Sequence, residues 1–237
     1  DAVAIARRAF DRYSFDLIYA RPGQSADAWT RELEVAISEA AEHLSLYQLT
    51  IEEGTPFFGL HRAGKLKTPD EDLARQLYDV TQDVCAAHGL PSYEISNPAR
   101  PGAECRHNLV YWRGQEYAGI GPGAHGRLDI GGIRHATATD KRPEAWLTRV
   151  EDDGHGIATE DLLESEQRAD EFLLMGLRLA EGIDPQRYAA LAGRPLDPHR
   201  IAALKDDGAI VMDDSGRLRV TQDGFPLLDA VVADLAA

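Results

Sequence analysis

Apolar positions along the chain follow two periods, and the change from one to the other marks off its elements. Residues 1–13 put Val3, Ala6, Ala9 and Phe10 on one side of a helix. The run "FDLIYARPG" is apolar on both faces, as a buried strand is, and Pro22-Gly23 stops it. Trp29, Leu33 and Ile37 then recur at helical spacing over 27–41, and "HLSLYQLTI" predicts a second strand over 44–51. Strand, helix and strand in this order predict a βαβ unit of a parallel sheet.

"GTPFFGLHRAGKLKT" has no strong period and reads as a loop with short helical turns. A helix start follows, with Thr68 as N-cap, Pro69 at N1 and Glu71 completing a capping box. Leu73, Leu77, Val80 and Val84 form its apolar stripe and Gly89 its stop. Cys85 lies beside that stripe and reads as a small core residue. "PSYEISN" and "LVYWRG" read as short strands flanking a loop that carries Cys105 and His107. The glycines of "YAGIGPGAHGRL" permit positive φ or close backbone approach. No "GK[ST]" follows them, so a phosphate cradle is not indicated.

Composition shifts at the polar stretch "VEDDGHGI", 150–157, which reads as a linker between 1–150 and 151–237. Beyond it, a long helix is expected over 159–181. Asp184-Pro185 and Asp197-Pro198 start two more, closed by Gly193 and Gly208. "AIVMDDSGRLRV" predicts a hairpin and 221–235 a last helix. Three helices, a hairpin and a helix describe a winged-helix-like module.

Charge changes what that module can mean. The chain carries 25 Lys+Arg against 40 Asp+Glu, a net −15, and residues 151–237 hold 8 against 19. A surface so acidic repels phosphates, so no nucleic-acid partner is expected and the module reads as a packing or protein-contact element. No transmembrane segment and no signal-peptide pattern are present. Cys85 and Cys105 make no disulfide framework and suit a reducing, cytoplasmic setting.

"FDLIYARPGQS", "HLSLYQLTIEEGTPF", "YEISNPARPGAECRHNLVYW", "YAGIGPGAHG" and "LLMGLRLAEGID", in this order, resemble the radical S-adenosylmethionine (SAM) proteins related to oxygen-independent coproporphyrinogen III oxidase. Within them "HNxxYW" resembles the heme-chaperone branch. The implied fold is α/β: the carboxy-terminal part of a partial (β/α)6 barrel, followed by an α+β winged-helix-like domain. The family's CxxxCxxC motif, which holds a [4Fe–4S] iron–sulfur cluster, has no counterpart among two cysteines so far apart. Either the chain is a carboxy-terminal portion of a longer protein, the preferred reading, or its lineage lacks the cluster. On the preferred reading the strand at 15–19 has an unpaired edge, and self-association is expected.

The resemblance implies two sites. Asp16 matches the acid that contacts SAM, and its carboxylate could accept hydrogen bonds from ribose hydroxyls or the amino group. Relatives usually have Gly-Leu where this chain has Ala20-Arg21. In "HNxxYW" the implied ligand is heme. His107 would be the axial ligand, Asn108 would orient it, and Tyr111 and Trp112 would offer apolar faces. His125 and Cys105 are weaker candidates, and for each the structural reading is preferred. The expected function is heme binding and delivery to heme-accepting proteins. Two alternatives remain: SAM-radical decarboxylation of coproporphyrinogen III in porphyrin biosynthesis, and an acidic protein-interaction module. By itself the chain is expected to cleave no SAM.

Overall fold

The computed structural model describes residues 2–237, and Asp1, the first residue of the expected leading helix, lies outside them. Contacts divide the chain into two compact units, Asp1–Cys105 and Arg106–Ala237.

The first unit opens with helix α1 (Ala2–Ala9) and strand β1 (Asp16–Tyr19). Helix α2 (Ala26–Glu39), strand β2 (Ser45–Gln48), helix α3 (Pro56–Arg62) and helix α4 (Glu71–Ala87) complete it. β1 and β2 pair in parallel with Asp16 opposite Ser45 and Tyr19 opposite Gln48, as the βαβ pattern predicts. Their inner side chains pack on α2 and α4: Tyr19, Leu44 and Leu46 join Trp29, Leu33, Leu77 and Cys85 in one core. Trp29 is sealed, stacks on Tyr19 with ring centroids 5.3 Å apart, and donates its indole N–H to Thr81 Oγ1 at 2.8 Å. The other face of the pair is open, so β1 is not apolar-buried on both sides: Ile18 is 48% and Tyr47 43% exposed there.

Local corrections have physical causes. The N-cap of α4 is Asp70, not Thr68, because the Asp70 carboxylate reaches the backbone N–H of Leu73 at 2.9 Å. "PSYEISN" forms no regular strand; residues 96–100 run antiparallel beside β2 through Leu46 N–H to Ser96 O (2.7 Å), Leu44 N–H to Pro98 O and Arg100 N–H to Glu42 O. Ala20 has φ 56°, the left-handed region that favours glycine.

The second unit begins with helix α5 (Arg106–Trp112), where the sequence predicts a strand. Strands β3 (His125–Ile130) and β4 (Ile133–Thr139) form a hairpin on the two-residue turn Gly131-Gly132. Helix α6 (Pro143–Asp153) leads to strand β5 (Ile157–Leu163), which pairs antiparallel with β4. The stretch read as a linker is therefore the last turn of α6 and the entry to β5. The first residues of the expected long helix are sheet, and helix α7 starts only at Ser165 (Ser165–Gly176). Helices α8 (Pro185–Ala192) and α9 (Pro198–Asp206) start on Asp184 and Asp197 caps as expected. Strands β6 (Ile210–Met212) and β7 (Leu218–Val220) form the expected hairpin, and helix α10 (Leu228–Ala236) ends the chain. α7 to α10 and this hairpin enclose one core around Leu173, Leu177, Tyr188, Leu218, Val231 and Leu235. Arg200 of α9 is held by Asp234 at 2.8 Å.

Candidate functional site

The helical state of α5 decides how "HNxxYW" is displayed. Side chains at i and i+4 share a helix face. His107 and Tyr111 therefore meet, their rings edge-on with centroids 4.7 Å apart. Tyr111 in turn meets Tyr117 edge-on at 4.5 Å. His107 stands exposed at the outer end of this ladder. Trp112 points elsewhere, into a separate recess bounded by Arg113, Leu179, Arg187 and Arg217. Asn108 is half-buried on the same helix. The structure thus brings His107 and Tyr111 onto one face, adds Tyr117, and sets Trp112 apart.

The turn after the helix is fixed from a distance. The carbonyls of Arg113, Gly114 and Gln115, in the turn that follows α5, take their partners from two arginines. Arg134 of β4 donates to Gly114 O at 3.2 Å and Gln115 O at 2.8 Å. Arg187 of α8 donates to Arg113 O at 3.0 Å and Gly114 O at 3.5 Å. Two cations thereby hold the turn that follows α5. Arg113 itself makes a bidentate pair with Glu181, at 3.0 and 2.8 Å.

Beside Tyr111 a pocket opens between α5, the β3–β4 hairpin, α7 and α8. Tyr117, Phe172, Met175 and Leu191 supply its apolar wall, and Arg127, Arg134, Arg168 and Arg187 its charge. Burial pushes the Tyr117 phenol above its usual range. No sequence motif points to this pocket, whose arginines come from four elements.

In "YAGIGPGAHG" Gly121 and Gly123 supply positive φ, 94° and 71°, and Gly119 serves packing. A Cβ on Gly119 would come within 2.5 Å of the His125 carbonyl oxygen, so the loop lies directly on β3. His125 itself is exposed at the start of β3. Cys105 is half-buried in the first unit, its N–H donating to the Tyr93 hydroxyl at 3.3 Å. Cys85 is sealed, and burial pushes its thiol up to about 12. Among the described residues no group of three or more His, Cys, Asp or Glu side chains could hold a metal ion. These residues do not fit a [4Fe–4S] cluster.

Asp16 opens β1 on its open face, two residues before Ile18 and away from α2 and α4. In a barrel whose helices lie outside, that is the interior face. Its carboxylate is exposed, with no hydrogen bond or ion pair among the described residues. Among the described residues no helix is long and apolar enough to cross a membrane.

Comparison with known proteins bears on all of this. Residues 163–227 match the HemN C-terminal domain. The chain is 36% identical over 234 residues to zebrafish (Danio rerio) radical S-adenosyl methionine domain-containing protein 1, mitochondrial, covering 93% of this chain and 52% of that protein. It is 34% identical to the heme chaperone HemW of Bacillus subtilis (83% and 51% covered) and 35% identical to that of Mycobacterium tuberculosis (95% and 55%). It spans about half the length of the curated relatives it matches. The solved structure of Escherichia coli coproporphyrinogen III oxidase (HemN), a radical SAM enzyme, superposes with a TM-score of 0.73 at 18% identity, over 99% of this chain and 57% of that one. That likeness shows the fold, with no closed barrel in this portion.

Proposed function

The chain belongs to the radical S-adenosylmethionine family that includes HemW and HemN, and on that premise we propose that it binds heme on the exposed face of α5 and passes it to acceptor proteins. The observation that carries the reading is the His107–Tyr111 pair: an exposed imidazole braced edge-on by an aromatic ring 4.7 Å away on the same helix face. A neutral imidazole offers a nitrogen lone pair to heme iron. Tyr111 meets the imidazole edge-on from one side, and Asn108 would orient it. An exposed ligand suits a carrier, because cargo that must leave cannot be enclosed on all sides.

Asp16 presents a free carboxylate on the open face of β1, where it would accept hydrogen bonds from the ribose or amino group of SAM. The cysteines present, Cys85 and Cys105, do not form a [4Fe–4S] cluster site. Two unpaired thiols support a reducing compartment such as the cytoplasm.

Delivery is tested by stopped-flow transfer from the heme-loaded chain to an apo heme protein. The expected transfer rate rises with acceptor concentration. A rate independent of the acceptor and equal to spontaneous heme loss would refute delivery.

A further inference from the structure

We propose that the arginine-lined pocket beside Tyr111 is a carboxylate-binding site, anchored by Arg187, which takes the two acidic side chains of a flat apolar ligand. The ligand's identity as a porphyrin rests on the heme reading, whereas the carboxylate chemistry rests on the pocket itself.

The charge balance is the first argument. Four arginines line the pocket against two carboxylates, Asp129 and Glu171, in a chain of net charge −15. Arg127 is fully matched by Glu171, with contacts at 3.1 and 2.6 Å. Asp129 is divided between Arg134 at 3.0 Å and Arg168 at 3.2 Å. Arg187 has no carboxylate within ion-pair distance among the described residues; Asp184, the carboxylate that acts on it through space, is engaged in capping α8 through Gln186 N–H at 2.8 Å. Two positive charges are left over, enough for two carboxylates.

The state of Arg187 is the second argument. Its guanidinium lies over the Phe172 ring, 4.5 Å from the centroid, and donates only to the carbonyls of Arg113 and Gly114. A guanidinium has five N–H donors in a planar fork suited to a carboxylate, so Arg187 keeps donors for a ligand. Burial, then the neighbouring Arg134, lower its affinity for its own proton. An incoming anion relieves that repulsion.

Shape is the third argument. Phe172, Met175 and Leu191 give an apolar wall beside the cations, which fits an amphipathic acid better than a free inorganic anion. Tyr111 lines the pocket and also touches His107. A porphyrin whose iron sits on His107 would extend over Tyr111 and direct its propionates towards Arg187.

The test uses metal-free protoporphyrin IX, which has the propionates but no iron, and its dimethyl ester, which has neither charge. Binding to the full chain is followed by porphyrin fluorescence. The free acid should bind about tenfold or more tighter than the ester. Arg187→Gln should abolish that preference, and His107→Ala should leave it intact. Changing the ligand rather than the protein keeps the comparison valid if Arg187→Gln loosens α5. Equal binding of acid and ester, no binding of the free acid, or a preference that survives Arg187→Gln would overturn the proposal. A His107→Ala chain that binds heme normally but still prefers the acid would defeat the heme-ligand reading and leave the carboxylate site standing.

Discussion

Replacing Glu94 with Gln should stabilise the first unit at neutral pH, against the usual trend for buried positions. Glu94 is 2% exposed and Asn97 3%. Asn97 Nδ2 and the Ser96 N–H both donate to Glu94 Oε1, whereas Glu94 Oε2 and Asn97 Oδ1 have no partner among the described residues. A buried unpaired acceptor costs about 1–3 kcal/mol. Gln keeps the Oε1 acceptor and turns the orphaned oxygen into a donor, next to a residue with a spare acceptor. Burial raises the Glu94 carboxyl above its ordinary 4.5, and the hydrogen bonds only partly oppose that. A raised folded-state value means that the wild type has its full stability below pH 4.5 and loses part of it as pH rises through the folded value. The gain from Glu94→Gln should therefore be near zero in acid and reach about 1–2 kcal/mol at pH 8. Urea unfolding across pH 5–9 measures it. Trp112→Phe and Trp146→Phe leave Trp29 as the only reporter, inside the same unit as Glu94. If the substituted chain is no more stable than the parent at pH 8 and the gap does not change with pH, the orphaned-carboxylate argument is wrong.

Ala20→Gly should be far milder than a buried Ala→Gly in a helix. A left-handed Ala costs roughly 1–2 kcal/mol, which offsets the entropy that Gly loses on folding and the methyl it no longer buries. Ala36→Gly inside α2 serves as control, and chemical denaturation should show it costlier by about 1 kcal/mol or more. Equal losses would remove the strain argument. For the thiols, the native chain should expose one group to Ellman's reagent, Cys105, and denaturant should release Cys85 as a second. Two thiols reacting in the native chain would contradict the sealed core.

The βαβ unit was legible because Trp29, Leu33 and Ile37 repeat on one face of α2 and the strands beside it carry few polar residues. The Asp-Pro starts of α8 and α9 were legible because cap and proline act within three residues. α5 was not. "RHNLVYW" is short and rich in strand formers, and Arg134 and Arg187 hold the turn after it from distant parts of the sequence. Read as a strand, the segment would put His107 and Tyr111 on one face by even spacing, but without the edge-on contact. β5 was hidden because its pairing with β4 overrides a helical period that continues into α7. The arginine pocket left no local signal, since Arg127, Arg134, Arg168 and Arg187 are scattered over 61 positions and meet only in the fold. The one available hint was the Gly131-Gly132 turn, which predicts the hairpin that carries two of them.

The claim that α5 presents heme through His107 is tested most directly by ferric heme titration of the wild-type chain, His107→Ala and His125→Ala, read in the Soret band with folding checked by circular dichroism. The wild type and His125→Ala should share one saturable Soret shift, and His107→Ala should lose it or bind about tenfold or more weakly. A folded His107→Ala chain with the parent's spectrum and affinity would contradict the account.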